Sequence, residues 1–206
     1  MKTKIGSEVD PLDIERARRL FPIREDHVHF NHAGVSPMSD PVREAVRHVT
    51  DVLATHGWNN DEYTEALETL RHSLGNLVAV GPDQVNITRG TAHGISLLAR
   101  GLDWRPGHNV VSARLEYPAN LYPWMAVAKH GVELRLVEPV DGRVTPEAVL
   151  GLVDARTRVV ALSFVQFWNG YRLDLAKIGA ECRRQGVFLA VDGIQGLGVL
   201  PFHLRR

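Results

Sequence analysis

Hydrophobic and polar positions follow two patterns along this chain. Short apolar runs rich in β-branched residues predict buried strands, and longer segments with apolar residues three or four positions apart predict amphipathic helices. The predicted strands cover residues 84–88, 109–113, 132–137, 158–163 and 187–192. A predicted helix follows each of the first four strands, beginning near residues 91, 118, 145 and 174. Strands that alternate with helices indicate right-handed crossovers and a mainly parallel sheet.

Two longer helices are predicted before these strands. The first begins at Ser39 or Asp40, with Pro41 in its first turn, and the second begins at Asp61. Each carries an apolar stripe at helical spacing, formed by Val42, Val46, Val49 and Leu53 in the first helix and by Leu67, Leu70, Leu74 and Leu77 in the second. A short charged helix over residues 13–20 and an extended segment over 27–30 are predicted before them.

The last predicted strand ends on an acid. Asp192 follows the run Val-Phe-Leu-Ala-Val, and Gln195 stands three positions further on. Ligands of open α/β sheets bind at the carboxyl ends of the strands, so Asp192 is predicted to point into a ligand pocket that Gln195 can also reach. An aspartate that only caps a turn or a helix is the alternative.

The segment VDGIQ resembles the VDxxQ signature of the class V family of pyridoxal-phosphate (PLP) enzymes. That family includes cysteine desulfurases, selenocysteine lyases, kynureninases and isopenicillin N epimerases. Its aspartate pairs with the pyridinium nitrogen of PLP, and its glutamine contacts the ring hydroxyl. The resemblance therefore implies PLP as cofactor, with Asp192 and Gln195 in these two roles. A partly buried carboxylate keeps the ring nitrogen protonated, which PLP needs as an electron sink.

A second segment, ITRGTAHG, predicts a turn into a helix whose first amides could hold an anion. It is similar to the phosphate-binding turn of the family, which implies phosphate contacts from Gly90, Thr91 and Ala92. Ala92 departs from the threonine that is usual there, and His93 departs from the common acid. A turn that only caps the helix is the alternative.

Three further segments resemble family elements. In ARLEYPANLYPW, Tyr117 takes the place of the residue that stacks on the cofactor ring, although a core aromatic is the alternative. In LSFVQFWNGYRLDL, Gln166 and Asn169 are implied to contact the ring oxygen or the substrate carboxylate, and Asp174 is predicted to cap a helix. In FNHAGVSPM, Asn31 and His32 are implied to face the substrate, although a turn explains them too.

The resemblance spans residues 30–204 and keeps the family order. It implies a three-layer α/β fold: the mainly parallel sheet, with helices on both faces, of the fold type I PLP-dependent transferase large domain, truncated before the C-terminal domain. Residues 1–38 are implied to form an N-terminal helix and a substrate-facing arm, and residues 39–206 an incomplete PLP-binding large domain. A homodimer is implied for the full-length form.

No lysine of this chain matches the one that holds PLP as a Schiff base in the family. Lys2 and Lys4 lie in the N-terminal tail, and Lys129 and Lys177 fall on predicted outer helices. We interpret the chain as the N-terminal part of a PLP-dependent enzyme acting on an amino acid, by transamination, C–S lyase or desulfurase, or epimerase chemistry, and inactive alone. The alternative is a non-catalytic cofactor-binding or interaction protein with this fold.

Composition narrows the partners and the location. The 24 basic and 24 acidic residues give a net charge of zero, which favours neither nucleic acid nor a membrane surface as a partner. The N-terminus lacks the apolar stretch of a signal peptide, so a cytoplasmic location is expected. His27, His29 and His32 are close in sequence, but no convincing fourth ligand accompanies them and no metal site is predicted.

Overall fold

The chain divides into two units, residues 1–68 and residues 69–206, and the described regular structure of the first unit is helical. The computed structural model describes residues 11–31, 34–58, 60–202 and 204. Its first helices are α1 (Pro11–Arg19), a short 3-10 helix (Pro22–Glu25), α2 (Asp40–Thr55) and α3 (Asn60–Val78). The three predicted helices of this region are therefore confirmed. The predicted functional boundary at residue 38 remains a prediction.

Two local details concern the start of α2 and the segment before it. Ser39 precedes α2, but its side chain makes no capping hydrogen bond to the helix. Residues 27–30 belong to no helix or strand, and Val28 and Phe30 are 83% and 86% exposed. The extended segment expected there stays a prediction.

The apolar stripe of α2 has the predicted spacing but is not buried within the described part of the chain. Val42, Val46 and Val49 are 49%, 50% and 51% exposed. The spacing of apolar residues predicts that a helix has an apolar face, whereas burial of that face depends on what packs against it.

A four-stranded parallel sheet organises residues 69–206. Its strands are β1 (Asn109–Ala113), β2 (Glu133–Val137), β3 (Thr157–Ser163) and β4 (Phe188–Asp192), in the order β2-β1-β3-β4. All three pairs of neighbouring strands are parallel. The sequence predicted these four strands to within one residue at each end, so the mainly parallel α/β sheet is confirmed.

The strand predicted over residues 84–88 is wrong. Pro82–Gln84 forms a 3-10 helix, and residues 85–88 belong to no strand. The run Val-Asn-Ile-Thr has strand-forming residues, but strand propensity is expressed only where a neighbouring strand takes up the backbone hydrogen bonds. The described residues provide no such neighbour here.

Helices follow β1, β2 and β3 as predicted: α5 (Pro118–Met125) with a 3-10 continuation (Ala126–His130), α6 (Pro146–Leu150) and α7 (Leu175–Gln185). The predicted helix near residue 91 is also present, as α4 (Thr91–Gly101), but it precedes β1 and follows no strand. The side chain of Thr145 accepts a hydrogen bond from the Ala148 amide at 3.3 Å and caps α6. Asp174 caps α7 by accepting one from the Lys177 amide at 3.1 Å, which confirms its predicted structural role.

The sheet is covered on both faces. Alternate residues of a strand point to opposite faces, and the buried residues accordingly fall into two clusters. Val110 and Val159 belong to the cluster that contains Trp124 of α5, whereas Val111 and Val160 belong to the cluster that contains Ile178 of α7. Helix, sheet and helix thus form the three predicted layers, and they present the carboxyl ends of all four strands along one edge.

Candidate functional site

The strand order places a binding crevice at the carboxyl ends of β1 and β3. The chain crosses from β1 to β2 on one side and then passes β1 to add β3 on its other side. Ligands of open α/β sheets bind outside the carboxyl ends of the strands where the order reverses in this way. The loops that follow β1 and β3, and the end of β4, therefore hold the residues to consider.

Asp192 ends β4 and is 5% exposed. Its Oδ1 accepts a hydrogen bond from the Ile194 amide at 3.0 Å, while Oδ2 has no hydrogen-bond partner among the described residues. Burial raises the pKa of the Asp192 carboxyl; the Ile194 amide opposes this, and the nearby Glu116 adds to it. A buried carboxylate with a free oxygen is suited to a ligand that brings a donated proton and positive charge.

Glu116 forms a second buried acid at the same edge, in the loop after β1. Its Oε1 accepts hydrogen bonds from the Ser163 amide at 2.9 Å and from Gln166 Nε2 at 2.8 Å. Its Oε2 accepts them from the Ser163 hydroxyl and from Asn120 Nδ2, the latter at 3.1 Å. We call these four residues the Glu116 cluster. It ties the start of α5 to the end of β3, and Ser163 lies opposite Asp192 in the register of β3 and β4.

Gln166 is a member of the cluster and is 2% exposed. Its amide nitrogen donates to Glu116, its backbone amide donates to the Tyr171 carbonyl at 2.9 Å, and its Oε1 is buried without a partner in the described part of the chain. The structure thus brings Gln166 to the same edge as Asp192. Sequence reasoning missed Glu116, although an acid three residues after a buried strand was a signal that could have identified it.

Tyr117 lies immediately before α5 and is 48% exposed. Its ring meets the Phe167 ring edge-on, with centroids 5.1 Å apart and planes at 80°. Phe167 directly follows Gln166, so an aromatic pair stands beside the Glu116 cluster. Gln195 is half-buried in the turn after β4, where the Gly196 amide donates to the Gly193 carbonyl at 3.0 Å.

The turn before α4 has the geometry of an anion site. Gly90 has a φ of +153°, which side-chain-bearing residues rarely adopt, and it leads directly into Thr91. Thr91 is half-buried and Ala92 is exposed, and helix geometry leaves their amides without an intrahelical acceptor. His93, at the position where the family often has an acid, accepts a hydrogen bond from the Arg89 amide through Nδ1 at 3.3 Å.

Of the three residues predicted to face the substrate, the structure describes Asn169 and Asn31. Asn169 donates to the Gly142 carbonyl at 2.7 Å and accepts from the Tyr171 amide at 3.0 Å, so both of its polar atoms already have partners. Asn31 is exposed and accepts a hydrogen bond from the Gly34 amide at 3.2 Å, as in a turn. His32 lies outside the described residues. A substrate role for all three remains a prediction.

The part of the chain that the structure describes contains two lysines and one cysteine. Lys129 is exposed, and Lys177 is exposed and paired with Glu147, which raises the pKa of its ammonium group. Cys182 is buried in the core, and this burial raises the pKa of its thiol. Lys2 and Lys4 lie outside the described residues.

No group of three or more His, Cys, Asp or Glu side chains in residues 11–31, 34–58, 60–202 and 204 could hold a metal ion. Among the helices of the same residues, none has the length and apolar character required to cross a bilayer.

A cavity of about 620 Å³ lies beside β4 and α7 rather than at the polar edge. Its lining is largely apolar and includes Phe164, Phe188 and Phe202, with Arg172 placed 5.3 Å from the centre of the Phe164 ring. Neither Asp192 nor Gln166 lines it. The candidate site at the strand ends is therefore distinct from this cavity.

Comparison with known proteins identifies the family. A family model described as aminotransferase class V matches residues 32–206. The chain belongs to the class V aminotransferase family.

Curated class V relatives include cysteine desulfurases. A probable cysteine desulfurase of Methanothermobacter thermautotrophicus is 28% identical over 200 residues, which cover 93% of this chain and 49% of the relative. The cysteine desulfurase of Klebsiella pneumoniae is 30% identical over 202 residues, covering 89% of this chain and 50% of the relative. The chain spans about half the length of these two relatives.

Solved structures agree on the fold. A mutant of C-DES with glycine covalently linked to the PLP cofactor superimposes with a TM-score of 0.81 at 27% identity, covering 90% of this chain and 51% of that one. The cysteine desulfurase CsdA of Escherichia coli also gives a TM-score of 0.81, at 22% identity, covering 95% of this chain and 51% of that one. The class V large-domain fold is thus shown for about half of such a protein.

Proposed function

We propose that this chain provides the N-terminal, cofactor-binding part of a PLP-dependent class V enzyme that acts on an amino acid. One observation carries the proposal: Asp192 is buried at the end of β4 with one carboxylate oxygen free of any described partner. An unpaired buried charge is costly. A protonated ring nitrogen would supply both the donor and the opposite charge that this carboxylate needs.

The residues present fit PLP in several places. Asp192 would hold the ring nitrogen, Gln195 and Gln166 would contact the ring hydroxyl, and Tyr117 would lie against the ring face. Gly90, Thr91 and Ala92 would hold the phosphate through the first amides of α4, where the helix dipole favours negative charge. When bound, PLP would supply an electron sink for a bond cleaved at the α-carbon of the substrate.

Among the reactions open to the family, we propose C–S bond chemistry on a sulfur-containing amino acid. The supporting observation is that the relatives described above are a probable cysteine desulfurase and a cysteine desulfurase, and that C-DES is a cystine C–S lyase. Asn31, His32 and Asn169 remain the proposed substrate contacts. A homodimer and a cytoplasmic location are proposed for the whole protein, to be tested by light scattering and by cell fractionation.

The chain alone is proposed to be inactive. A Schiff base needs a neutral amine close to the cofactor, and the two described lysines are on exposed helices, one of them in an ion pair. Treatment with PLP and borohydride should therefore leave the lysines unmodified. A stoichiometric adduct on Lys129 or Lys177, mapped by mass spectrometry, would contradict this. The second candidate, a non-catalytic cofactor-binding protein, also predicts no adduct; a whole protein that binds PLP without forming a Schiff base would favour it.

Equilibrium dialysis with PLP tests the main proposal. The wild-type chain should bind one PLP, and Asp192→Asn should weaken binding about 10-fold to 100-fold, the usual worth of a hydrogen bond between charged groups. Glu147→Gln is the matched control, because it removes an exposed carboxylate that pairs with Lys177. Equal affinities for wild type and Asp192→Asn would refute the proposal.

A further inference from the structure

Two loops at the carboxyl edge each carry an aromatic ring, and the two rings meet. Tyr117 lies in the loop after β1 and Phe167 in the loop after β3, with centroids 5.1 Å apart and planes at 80°. The strands β1 and β3 are neighbours and flank the crevice where the strand order reverses. An edge-on contact leaves at least one face of the Tyr117 ring open. The pair therefore presents a free aromatic face beside the crevice.

The main chain on either side of Tyr117 is fixed. Glu116, directly before it, is buried and accepts a hydrogen bond from Gln166 Nε2 of the neighbouring loop at 2.8 Å. Pro118, directly after it, begins α5 and restricts Tyr117 to an extended backbone, which has φ −61° and ψ 142°. The Tyr117 carbonyl accepts a hydrogen bond from the Asn120 amide at 2.8 Å. Only rotation about the side-chain bonds of Tyr117 is therefore left.

That rotation is not fixed by a polar contact. Within the described part of the chain, the Tyr117 hydroxyl makes no hydrogen bond. A half-exposed tyrosine without such a bond can populate several rotamers. An edge-on aromatic neighbour favours the rotamer that keeps the contact. Phe167 is therefore in a place to select the orientation of the Tyr117 ring.

The loop that carries Phe167 is itself braced. The Gly170 amide donates to the Gln166 carbonyl at 2.9 Å, which closes the turn around Phe167. Asn169 donates to the Gly142 carbonyl at 2.7 Å and so joins this loop to the turn after β2. The side chain directly before Phe167 is bound in the Glu116 cluster. A ring on such a loop can hold a second ring in place.

We propose that Phe167 is a positioning residue, which holds the Tyr117 ring in the orientation that stacks on the cofactor ring. The proposal rests on the PLP function proposed above and adds one residue to it. A ring that is already oriented loses less conformational freedom when a ligand binds, so the contact between the two rings favours binding. Because Phe167 acts through Tyr117, its removal should have no effect where Tyr117 is absent.

Equilibrium dialysis with pyridoxine 5'-phosphate measures the energetic effect, since this probe has no aldehyde and cannot react with lysine. Phe167→Ala should weaken binding about threefold, and Tyr117→Ala about tenfold. The double variant should bind no worse than Tyr117→Ala alone. Trp168→Ala is the matched control, because Trp168 is the next residue, is 43% exposed against 44% for Phe167, and makes no ring contact with Tyr117 in the described chain. It should keep the wild-type affinity.

Proton nuclear magnetic resonance of the saturated complex gives a readout that a merely structural role would not move. Ring protons of the probe that lie over an aromatic face are shifted upfield by its ring current, whatever the affinity. Wild type should show this shift, and Tyr117→Ala should lose it. Phe167→Ala should keep about half of it or less, because the Tyr117 ring then samples several rotamers. Phe167→Tyr keeps an edge-on ring and should restore the shift.

The outcomes distinguish this proposal from the one it rests on. If wild type binds the probe in an Asp192-dependent way but Phe167→Ala or Tyr117→Ala keeps the full upfield shift, the positioning role is overturned and the PLP function stands. If wild type does not bind the probe, both proposals are overturned. A shift that is lost in both alanine variants and restored in Phe167→Tyr supports the inference. Phe167→Leu, which keeps apolar bulk without a ring, replaces Phe167→Ala if the latter is unfolded by circular dichroism.

Discussion

Replacing Glu116 by glutamine should destabilise the chain even without any ligand. The new side chain has the same shape, and its oxygen can still accept from the Ser163 amide and from Gln166. Its amide group, however, meets Asn120 Nδ2, which is also a donor. If the Asn120 amide turns over to accept, Trp124 Nε1 loses the Asn120 oxygen to which it donates at 3.4 Å. In either arrangement one buried donor is left unpaired.

Such a donor costs about 1–3 kcal/mol, and we expect the free energy of unfolding to fall by that amount. Removing the negative charge of Glu116 relieves its repulsion of the Asp192 carboxylate and so offsets part of this loss. The offset is small, because Glu116 is the weakest of the influences on the pKa of Asp192. For a chain of this size the midpoint temperature should fall by about 2–4 °C for each kcal/mol.

The assay is guanidinium unfolding followed by circular dichroism, at neutral pH and without PLP. Glu147→Gln serves as the control, because Glu147 is exposed and should leave the midpoint unchanged. Ser163→Ala should fall between the two variants, since it removes a single donor from the cluster. A Glu116→Gln midpoint equal to that of wild type would refute the four-donor arrangement.

Three other predictions concern Asp192, Trp124 and Cys182. The raised pKa of Asp192 means that the native state keeps this proton at pH values where the unfolded state has lost it, so stability falls as pH rises through the native pKa. Asp192→Asn should therefore gain stability relative to wild type as the pH rises above about 4, in urea titrations; a difference independent of pH would contradict the burial of this charge. Trp124 is fully buried, so Trp124→Ala should lose about 3–5 kcal/mol, against about 0.5 kcal/mol or less for the exposed Tyr122→Ala; similar losses in thermal melts would count against this packing. Cys182 is buried with a raised thiol pKa and should react with a thiol reagent only after denaturation; fast labelling of the native chain would show that the α7 side of the core is open.

The sheet could be predicted from the sequence because its strands are short, largely apolar runs between turn residues. The central strands β1 and β3 are buried along almost their whole length, as strands of a covered parallel sheet are, whereas the edge strands β2 and β4 are mostly half-buried. Residues 85–88 have similar propensity but no pairing partner in the described chain, and pairing is a long-range property that local pattern does not contain. The helical spacing of the α2 stripe could likewise be predicted from the sequence, whereas its burial depends on what packs against it.

The site was partly predictable. Asp192 was found because a polar residue at the end of a buried strand is a local signal, and Gln166 was found in the same way. Glu116 was missed because its importance arises from bonds to Ser163 and Gln166, which are distant in sequence and meet it only in the folded sheet. Asn169 was predicted to contact substrate, but its amide is bound to the Gly142 carbonyl, a contact that the local sequence gives no reason to expect.

The central claim is that Asp192 binds a protonated ring nitrogen. Nuclear magnetic resonance of pyridoxine 5'-phosphate labelled with nitrogen-15 in the ring tests it most directly, since the nitrogen shift reports its protonation. Bound to the wild-type chain at neutral pH, the ring nitrogen should show the pyridinium shift, and bound to Asp192→Asn it should show that of neutral pyridine. A neutral ring nitrogen on the wild-type chain would contradict the account.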